Sequence, residues 1–256
     1  MSASPSRLNQ EWQTFWLAVS FLTRIPLPIR IDYSQQRMNN SSMYFPLVGL
    51  MLGAIYAGVY LALGALFSPL VCVLLVMILH LWLTGAFHED GLADTVDALG
   101  GGYTLEDRLR IMKDSRIGTY GAAALVMALG LKAALLLDAR SIPMALLVAP
   151  AISRLTPLLL MRALPYVTLS EQSKTKPVAS GFPGTRLAVA TGIAALIALT
   201  ATPWMPGIVM TGLTATLGVA MLWGLYLKSQ LGGYTGDALG ACVALSELVL
   251  LMGCTV

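Results

Sequence analysis

Long apolar segments constrain this chain more than any other feature of its sequence. Several stretches of roughly 20 apolar residues follow one another, the length that a helix needs to cross a bilayer. Of the 256 residues, 57% are hydrophobic and only 11% are charged, whereas soluble domains carry about 25% charged residues. The segments are too long and too continuously apolar for the strands of a barrel. The sequence therefore predicts an all-α integral membrane protein.

We expect about seven transmembrane helices in a single membrane domain that covers residues 1–256. Residues 1–44 contain a short apolar run with Trp12 and Trp16, which predicts a retained interfacial helix rather than a signal peptide. Gly49 and Gly53 form a G-x-x-x-G pattern, which predicts close packing of the first span against another helix. The predicted spans are 45–67, 69–87, 120–137, 142–161, 187–201, 207–227 and 238–253.

The distribution of Lys and Arg predicts the orientation. If the N-terminus is cytoplasmic, the external connections contain only Arg140 among these cations, as the positive-inside rule requires. All sizeable polar segments then lie on one face, which favours an enzyme with a cytoplasmic-side active site over a transporter open to both faces. We expect residues 88–119 to form a catalytic loop region and 171–186 to form a loop. The cytoplasmic segments are 1–44, 88–119, 162–186 and 228–237.

The stretch FHEDGLADTVDALGGG, which follows the second span, is unusually acidic. If it is helical, Asp90, Asp94 and Asp97 fall within an arc of roughly 60°. Three carboxylates on one stripe repel each other unless a cation lies between them, and oxygen ligands suit Mg²⁺ or Mn²⁺ better than Zn²⁺. The alternative is a solvated acidic helix start. Glu89 lies just outside the stripe, and His88, either structural or a candidate base, points roughly opposite.

Two further polar segments carry candidate site residues. LEDRLRIMKDSRIGTYG, at 105–121, predicts a short amphipathic helix followed by cations beside glycines, which can bind phosphates or simply end an interfacial helix. LGGYTGDALG, at 231–240, opens the last span, where Asp237 is either a helix cap or a further metal ligand. The candidate residues are Lys113, Asp114, Ser115, Arg116, Gly233, Thr235 and Asp237.

Three ionisable residues lie within the predicted spans, where charges are costly and are usually functional or paired. Arg154 is mid-span, so a phosphate or carboxylate partner is expected for it. Lys132 is expected to snorkel unless it is functional or paired, and Glu247 is expected to pair with a cation. The net charge of +3 is too small to indicate a nucleic acid partner.

Carboxylates and cations on one face are typical of metal-dependent chemistry on a diphosphate substrate, in which the metal neutralises the leaving group. A CDP-alcohol phosphotransferase is the nearest alternative, but DGLADTVD lacks the Arg of the D-G-x-x-A-R pattern. A prenyltransferase would have D-D-x-x-D, which is only loosely imitated here. A metal transporter would need an aqueous path on both sides, and the external connections are minimal.

The same residues carry a family resemblance. FHEDGLADTVDALGGG, RIMKDSRIGTYG and GGYTGDALGACVALSELVLL closely resemble the cobalamin (5'-phosphate) synthase family, also called adenosylcobinamide-GDP ribazoletransferases. FLTRIPLP and YFPLVGLMLG are also similar to that family, so the resemblance covers nearly the whole chain. H-x-D-G-L-A-D-T-x-D is a far more specific signature than a pair of carboxylates.

The resemblance implies a Mg²⁺-dependent enzyme of the bacterial inner membrane. α-Ribazole, or its 5'-phosphate, would attack the phosphate that links cobinamide to GMP, giving adenosylcobalamin, or its 5'-phosphate, and GMP. The oligomeric state is left open between a monomer and a homo-oligomer. The implied metal ligands are Glu89, Asp90, Asp94, Asp97 and Asp237. The implied catalytic residues are His88, Asp114 and Arg116, and the implied substrate-binding residues are Lys113, Ser115, Arg154, Gly233 and Thr235.

Overall fold

The computed structural model describes residues 7–27, 29–168, 183–207 and 212–255. Within these ranges the regular elements are helices, apart from one isolated bridge between Tyr166 and Tyr234, which confirms the all-α class. A 3-10 turn, Ser42–Tyr44, precedes the third helix. The helices are α1 Arg7–Leu22, α2 Gln35–Ser41, α3 Phe45–Leu63, α4 Pro69–Thr84, α5 Phe87–Gly101, α6 Leu105–Ile111, α7 Thr119–Asp138, α8 Ile142–Ser153, α9 Thr156–Ala163, α10 Gly184–Ala201, α11 Thr214–Leu231 and α12 Gly236–Thr255.

The described residues contain fewer candidate membrane spans than the predicted seven. Five helical segments are long and apolar enough to cross a membrane, and a sixth is added if α4 and α5 together form one bent span. The predicted span 69–87 is interrupted because α4 stops at Thr84. The predicted span 207–227 includes residues 208–211, which lie outside the described ranges, and α11 does not meet the same criterion of length and hydropathy. The five are Gln35–Leu63, Thr119–Asp138, Ile142–Ala163, Gly184–Ala201 and Gly236–Thr255.

A bend of 85° separates α4 from α5. Gly85 ends α4 in the left-handed conformation, with φ of 67°, as glycine does at many helix ends. Ala86 is also left-handed, with φ of 56°, a conformation that costs free energy in any residue other than glycine. The backbone N–H of Arg24 donates to the carbonyl of Leu83 at 2.7 Å, and the Arg24 side chain fills the space where a Cβ on Gly85 would lie. The N-terminal segment thus holds the chain in this turn.

The polar segment after the bend, the predicted catalytic loop region 88–119, contains α5 and α6, so the acidic stripe is helical and the short amphipathic helix is present. The reason is burial, since one side of α5 packs into the bundle through Leu92, Ala93 and Ala98. Burial of that face stabilises a helix in spite of its acidic residues, and Glu89 and Asp90 in the first turn are favoured by the helix dipole.

Glycines bring two pairs of helices close together. A Cβ on Gly49 or Gly53 of α3 would meet backbone carbonyls of α8, so the predicted close packing at this pattern is confirmed. Gly91 of α5 and Gly240 of α12 approach each other in the same manner. α5 also packs against α7, and the acidic helix is therefore held between α7 and the first turns of α12.

The predicted loop 171–186 falls mainly on residues 169–182, which lie outside the described ranges. The N-terminal segment contributes α1 and α2, which pack against each other, and α1 also contacts α3.

Candidate active site

Four carboxylates converge where α5 meets the start of α12. A Cβ on Gly91 would lie only 2.6 Å from the carbonyl oxygen of Asp237, so the missing side chain lets Asp237 approach the acidic stripe. Asp94 interacts electrostatically with Asp90, Asp97 and Asp237. Among the described residues, none of these four carboxylates forms an ion pair with Lys or Arg. The helical stripe predicted from the spacing is therefore present, and Asp237 joins it.

Asp237 is available because another residue caps α12. The hydroxyl of Thr235 accepts a hydrogen bond from the backbone N–H of Ala238 at 3.1 Å, which is the contact of an N-cap. Thr235 is buried, whereas Asp237 is half-buried. The structure therefore assigns the cap to Thr235, and Asp237 lies close enough to Asp90 and Asp94 to interact with them electrostatically.

Asp97 differs from the other three acids in its hydrogen bonds. Its two carboxylate oxygens accept the backbone N–H groups of Gly118 at 2.7 Å and Gly121 at 2.8 Å. These amides begin α7, whose first N–H groups have no partner within the helix. Asp97 therefore anchors α7 and the end of the preceding loop to α5. Each of its oxygens retains a lone pair, but in this structure the carboxylate mainly connects α5 to the start of α7.

The donor set fits a magnesium ion only if a substrate supplies further oxygens. Asp90 is exposed, and Asp94 and Asp237 are half-buried, so water and ligands can reach these carboxylates. Among the described residues, no three His, Cys, Asp or Glu side chains are arranged to hold a metal ion by themselves. Mg²⁺ in proteins is usually held by one or two carboxylates with phosphate oxygens and water. The residues present match that pattern.

The loop after α6 lies at the Asp97 end of the stripe, since it leads directly to Gly118. Arg116 forms a two-point contact with Asp114, with Nε and Nη2 at 3.0 Å and 2.6 Å from its two carboxylate oxygens. Hydrogen bonds from Arg116 lower the pKa of Asp114 to about 2. Both side chains and their neighbour Ser115 remain accessible to solvent, so a phosphate can compete with Asp114 for Arg116.

A pocket joins this loop to the start of α12. It encloses about 310 Å³ of space between atoms and includes Lys113 and Asp237 in its lining. The opposite wall is the segment Tyr166–Thr168, which pairs with Tyr234 through backbone hydrogen bonds of 2.9 Å. Gly233 makes this pairing possible, because a Cβ there would meet the carbonyl oxygen of Pro165. Lys113, Thr235 and Asp237, predicted separately, are thus brought together. Tyr166, which also lines the pocket, was missed because no local pattern around it indicates a site.

His88 and Arg154 lie on the other side of α5. They line an apolar cavity of about 410 Å³ with Phe21, Phe45 and Phe87. Arg154 is fully buried. Its Nη1 donates to the carbonyl of Pro150 at 2.7 Å, while Nε and Nη2 have no hydrogen-bond partner among the described residues. The structure therefore separates these two predicted site residues from the carboxylate stripe.

Glu89 is also directed away from the stripe. Its Oε1 lies 2.9 Å from Nε2 of His80, and Nδ1 of His80 lies 3.0 Å from the hydroxyl of Tyr56. Lys132 and Glu247 pair nearby at 3.1 Å, so Lys132 does not snorkel and Glu247 has the cation expected for it. His80 was missed, although a histidine in an apolar span is itself a signal.

Comparison with known proteins decides the family. The family model of cobalamin-5-phosphate synthase matches residues 14–255. The chain belongs to the cobalamin-5-phosphate synthase family. The family assignment confirms the resemblance carried by the acidic stretch and the two polar segments, and it covers every helix described above except the first turns of α1.

Curated relatives support the same assignment. An adenosylcobinamide-GDP ribazoletransferase of Vibrio cholerae is 46% identical over 248 residues, covering 96% of this chain and 94% of the relative. Proteins of the same name from Shewanella pealeana and Leptothrix cholodnii are each 44% identical, covering 94% and 96% of this chain and 93% and 96% of the relatives. No solved structure gives a significant match. Sequence similarity over nearly the full length of this chain and of each relative therefore supports membership of the synthase family.

Proposed function

We propose that this chain joins α-ribazole, or its 5'-phosphate, to adenosylcobinamide-GDP and releases GMP. The relatives carry the name of this reaction over nearly their whole length. One structural observation supports placing this reaction at the carboxylate site. Asp90, Asp94 and Asp237 lie close together and form no ion pair with a cation among the described residues. Lys113 lies in the same pocket as Asp237. A diphosphate substrate matches this combination of uncompensated carboxylates and nearby cations.

Asp90, Asp94 and Asp237 would hold Mg²⁺ together with oxygens of the diphosphate. When bound there, the ion would neutralise charge that develops on the leaving phosphate. Asp97 already accepts the backbone N–H groups of Gly118 and Gly121. It is proposed as a further ligand only through the remaining lone pairs of its carboxylate oxygens. Glu89 is excluded from the proposed ligand set because its carboxylate contacts His80 in the helix bundle.

In the proposed step, a ribose hydroxyl of α-ribazole attacks the phosphorus that is bonded to the cobinamide oxygen. A new P–O bond forms, the bond from this phosphorus to the oxygen bridging to GMP breaks, and GMP leaves with the electron pair. The hydroxyl proton passes to a nearby base. Lys113 and Arg116 would bind phosphate oxygens as charged donors, and Ser115 would add a hydroxyl from the same exposed loop.

His88 and Arg154 have a different place in this proposal. A base must come within hydrogen-bond reach of the proton that it takes, and His88 lies on the face of α5 opposite the stripe. His88 is therefore proposed as the base only for a hydroxyl that enters the apolar cavity. Arg154, with two unpartnered nitrogens in the described part of the chain, would bind an anionic or carbonyl group in that cavity.

We also propose that the site faces the cytoplasm across the inner membrane. The support is the charge distribution, since Arg140 is the only Lys or Arg in the connections assigned to the other side. Labelling of single cysteines from one side of sealed vesicles tests this directly. A cysteine at Ser115 should react only with reagent on the cytoplasmic side, and reaction only from the outside would reverse the orientation.

The activity is tested with purified protein in liposomes, supplied with adenosylcobinamide-GDP, α-ribazole and Mg²⁺. GMP and the cobalamin product should form in equal amounts, and removal of α-ribazole or chelation of the metal should stop both. GMP formed without α-ribazole would indicate a hydrolase instead of a transferase. Absence of GMP under all of these conditions would contradict the proposed activity altogether.

A further inference from the structure

A strongly polar pocket lies between α1, α2 and the start of α10, helices that contribute none of the acidic stripe. It has about 470 Å³ of empty space, part of it open to solvent, and is lined by side chains that include Thr14, Gln36 and Asn40. Two arginines, Arg37 and Arg186, complete the polar lining. A pocket with so little apolar lining is unexpected in a chain that is 57% hydrophobic, and its chemistry suits a polar ligand.

One of the two arginines is already balanced by a carboxylate. Nη2 of Arg186 lies 2.9 Å from Oε1 of Glu11, and the hydroxyl of Tyr44 donates to Oε2 at 2.8 Å. Burial alone would raise the pKa of Glu11, but the hydrogen bonds from Arg186 and Tyr44 lower it, so Glu11 stays ionised at neutral pH. The other contacts of Arg186 are long: Nη1 lies 3.4 Å from Glu11, 3.4 Å from the carbonyl of Asn40 and 4.0 Å from Sδ of Met43. Arg186 can therefore reorient part of its guanidinium toward a ligand.

The other arginine has no balancing charge in the described part of the chain. Arg37 forms no ion pair there, and its Nη1 is buried without a hydrogen-bond partner. Removing a guanidinium nitrogen from water without a partner costs free energy. The two arginines and Glu11 leave one net positive charge in the lining. An anion with several oxygens would supply the missing acceptors, and the planar guanidinium matches phosphate in particular.

We propose that the pocket between α1, α2 and α10 binds a phosphate group through Arg37 and Arg186, separately from the carboxylate site. The phosphate belongs either to an anionic phospholipid headgroup or to a soluble phosphate compound. Both sources present the same oxygens to the arginines, and they are distinguished by experiment. The exposed Leu8 and Trp12 on α1 give this helix apolar side chains of the kind that contact a membrane surface.

The test measures thermal unfolding of the full chain in neutral detergent, titrated with inorganic phosphate or with micelles containing phosphatidylglycerol. The wild-type protein should be stabilised by at least one of the two. Arg37→Gln should raise the dissociation constant by about tenfold or more, because it removes a charge-assisted hydrogen bond to the phosphate. Without added ligand this variant should be no less stable than the wild type, since it removes a buried, unpartnered nitrogen.

Two matched variants separate this pocket from general charge effects. Arg7→Gln removes an exposed cation of α1 outside the pocket lining, and Arg110→Gln removes an exposed cation of α6. Both should bind the ligand like the wild type. Stabilisation by phosphatidylglycerol alone assigns the pocket to lipid, and stabilisation by inorganic phosphate alone assigns it to a soluble compound. If both stabilise the protein, the one with the lower dissociation constant identifies the source. The proposal is overturned if neither ligand stabilises the protein, if Arg37→Gln binds normally, or if Arg7→Gln loses as much affinity.

Discussion

Substitution of Gly91 by alanine perturbs the contact that brings Asp237 to the acidic stripe. The new Cβ would lie 2.6 Å from the carbonyl oxygen of Asp237 and 3.2 Å from the Cα atoms of Asp237 and Gly240. Ordinary van der Waals contact begins at 3.4 Å, so α5 and α12 must separate locally by about 0.8 Å. All of the opposing atoms are backbone, and no flexible side chain can move aside.

The expected magnitudes follow from this displacement. Overpacking of a close helix contact costs about 1–3 kcal/mol of unfolding free energy. A misplacement of about 1 Å in a catalytic arrangement can reduce the rate about 100-fold, so we expect Gly91→Ala to lose between tenfold and 100-fold in GMP release. The loss should appear mainly in kcat, and it should persist at a temperature where the variant is fully folded.

A glycine with free space around it provides the control. Nothing lies within 4 Å of a Cβ on Gly130 in α7, so Gly130→Ala should keep its turnover and gain about 0.5–1 kcal/mol from the better helix propensity of alanine. Turnover and thermal stability of both variants are measured in the same detergent. Wild-type turnover in Gly91→Ala would refute the conclusion that the spacing of α5 and α12 sets the site.

Three further perturbations have defined outcomes. Asp97→Asn leaves one carbonyl oxygen for two backbone donors, so unfolding free energy should fall by about 1–3 kcal/mol; unchanged stability would show that the amides find other partners. Lys132→Met leaves the buried carboxylate of Glu247 without a cation and should lower the unfolding free energy by about 3–5 kcal/mol. The double variant Lys132→Met, Glu247→Leu should recover most of this loss. A double variant as unstable as the single one would contradict the importance of the pair. The pKa of Asp114 is lowered to about 2 from its ordinary 3.8. Its ionisation therefore contributes fully to folding stability above pH 3.8, and this contribution is lost as the pH falls through about 2. In Arg116→Gln the carboxyl resonance of Asp114 should titrate close to the ordinary value, and a midpoint still near 2 would exclude Arg116 as the cause.

The acidic stripe could be predicted because it depends only on local periodicity. Asp90, Asp94 and Asp97 are spaced so that any helix places them on one side, and the helix is present. The glycines of α3 were predictable for the same reason, since small residues spaced by four leave room for a neighbouring helix. The family resemblance rested on the same local pattern and is confirmed by the family match.

What could not be predicted depends on partners that are distant in the sequence. The bend between α4 and α5 needs Arg24 against Gly85 and a left-handed Ala86, and nothing local to Ala86 favours that conformation. Likewise, the spacing of the three acids along α5 does not reveal that Asp97 accepts the first N–H groups of α7 while Asp94 does not. The spacing of the acids is local, but the buried face that stabilises α5 as a helix packs against α7 and α12, which are distant in the sequence.

In the proposed site, Asp94 and Asp237 would hold a divalent ion together with the diphosphate of the substrate. Binding of Mn²⁺, followed by its electron paramagnetic resonance signal in the presence of adenosylcobinamide-GDP, tests it without relying on turnover. Asp94→Asn and Asp237→Asn should each raise the dissociation constant by about tenfold or more, whereas Asp107→Asn in α6, which removes an acid paired with Arg110, should leave it unchanged. Binding by Asp94→Asn as tight as by the wild type would contradict the claim.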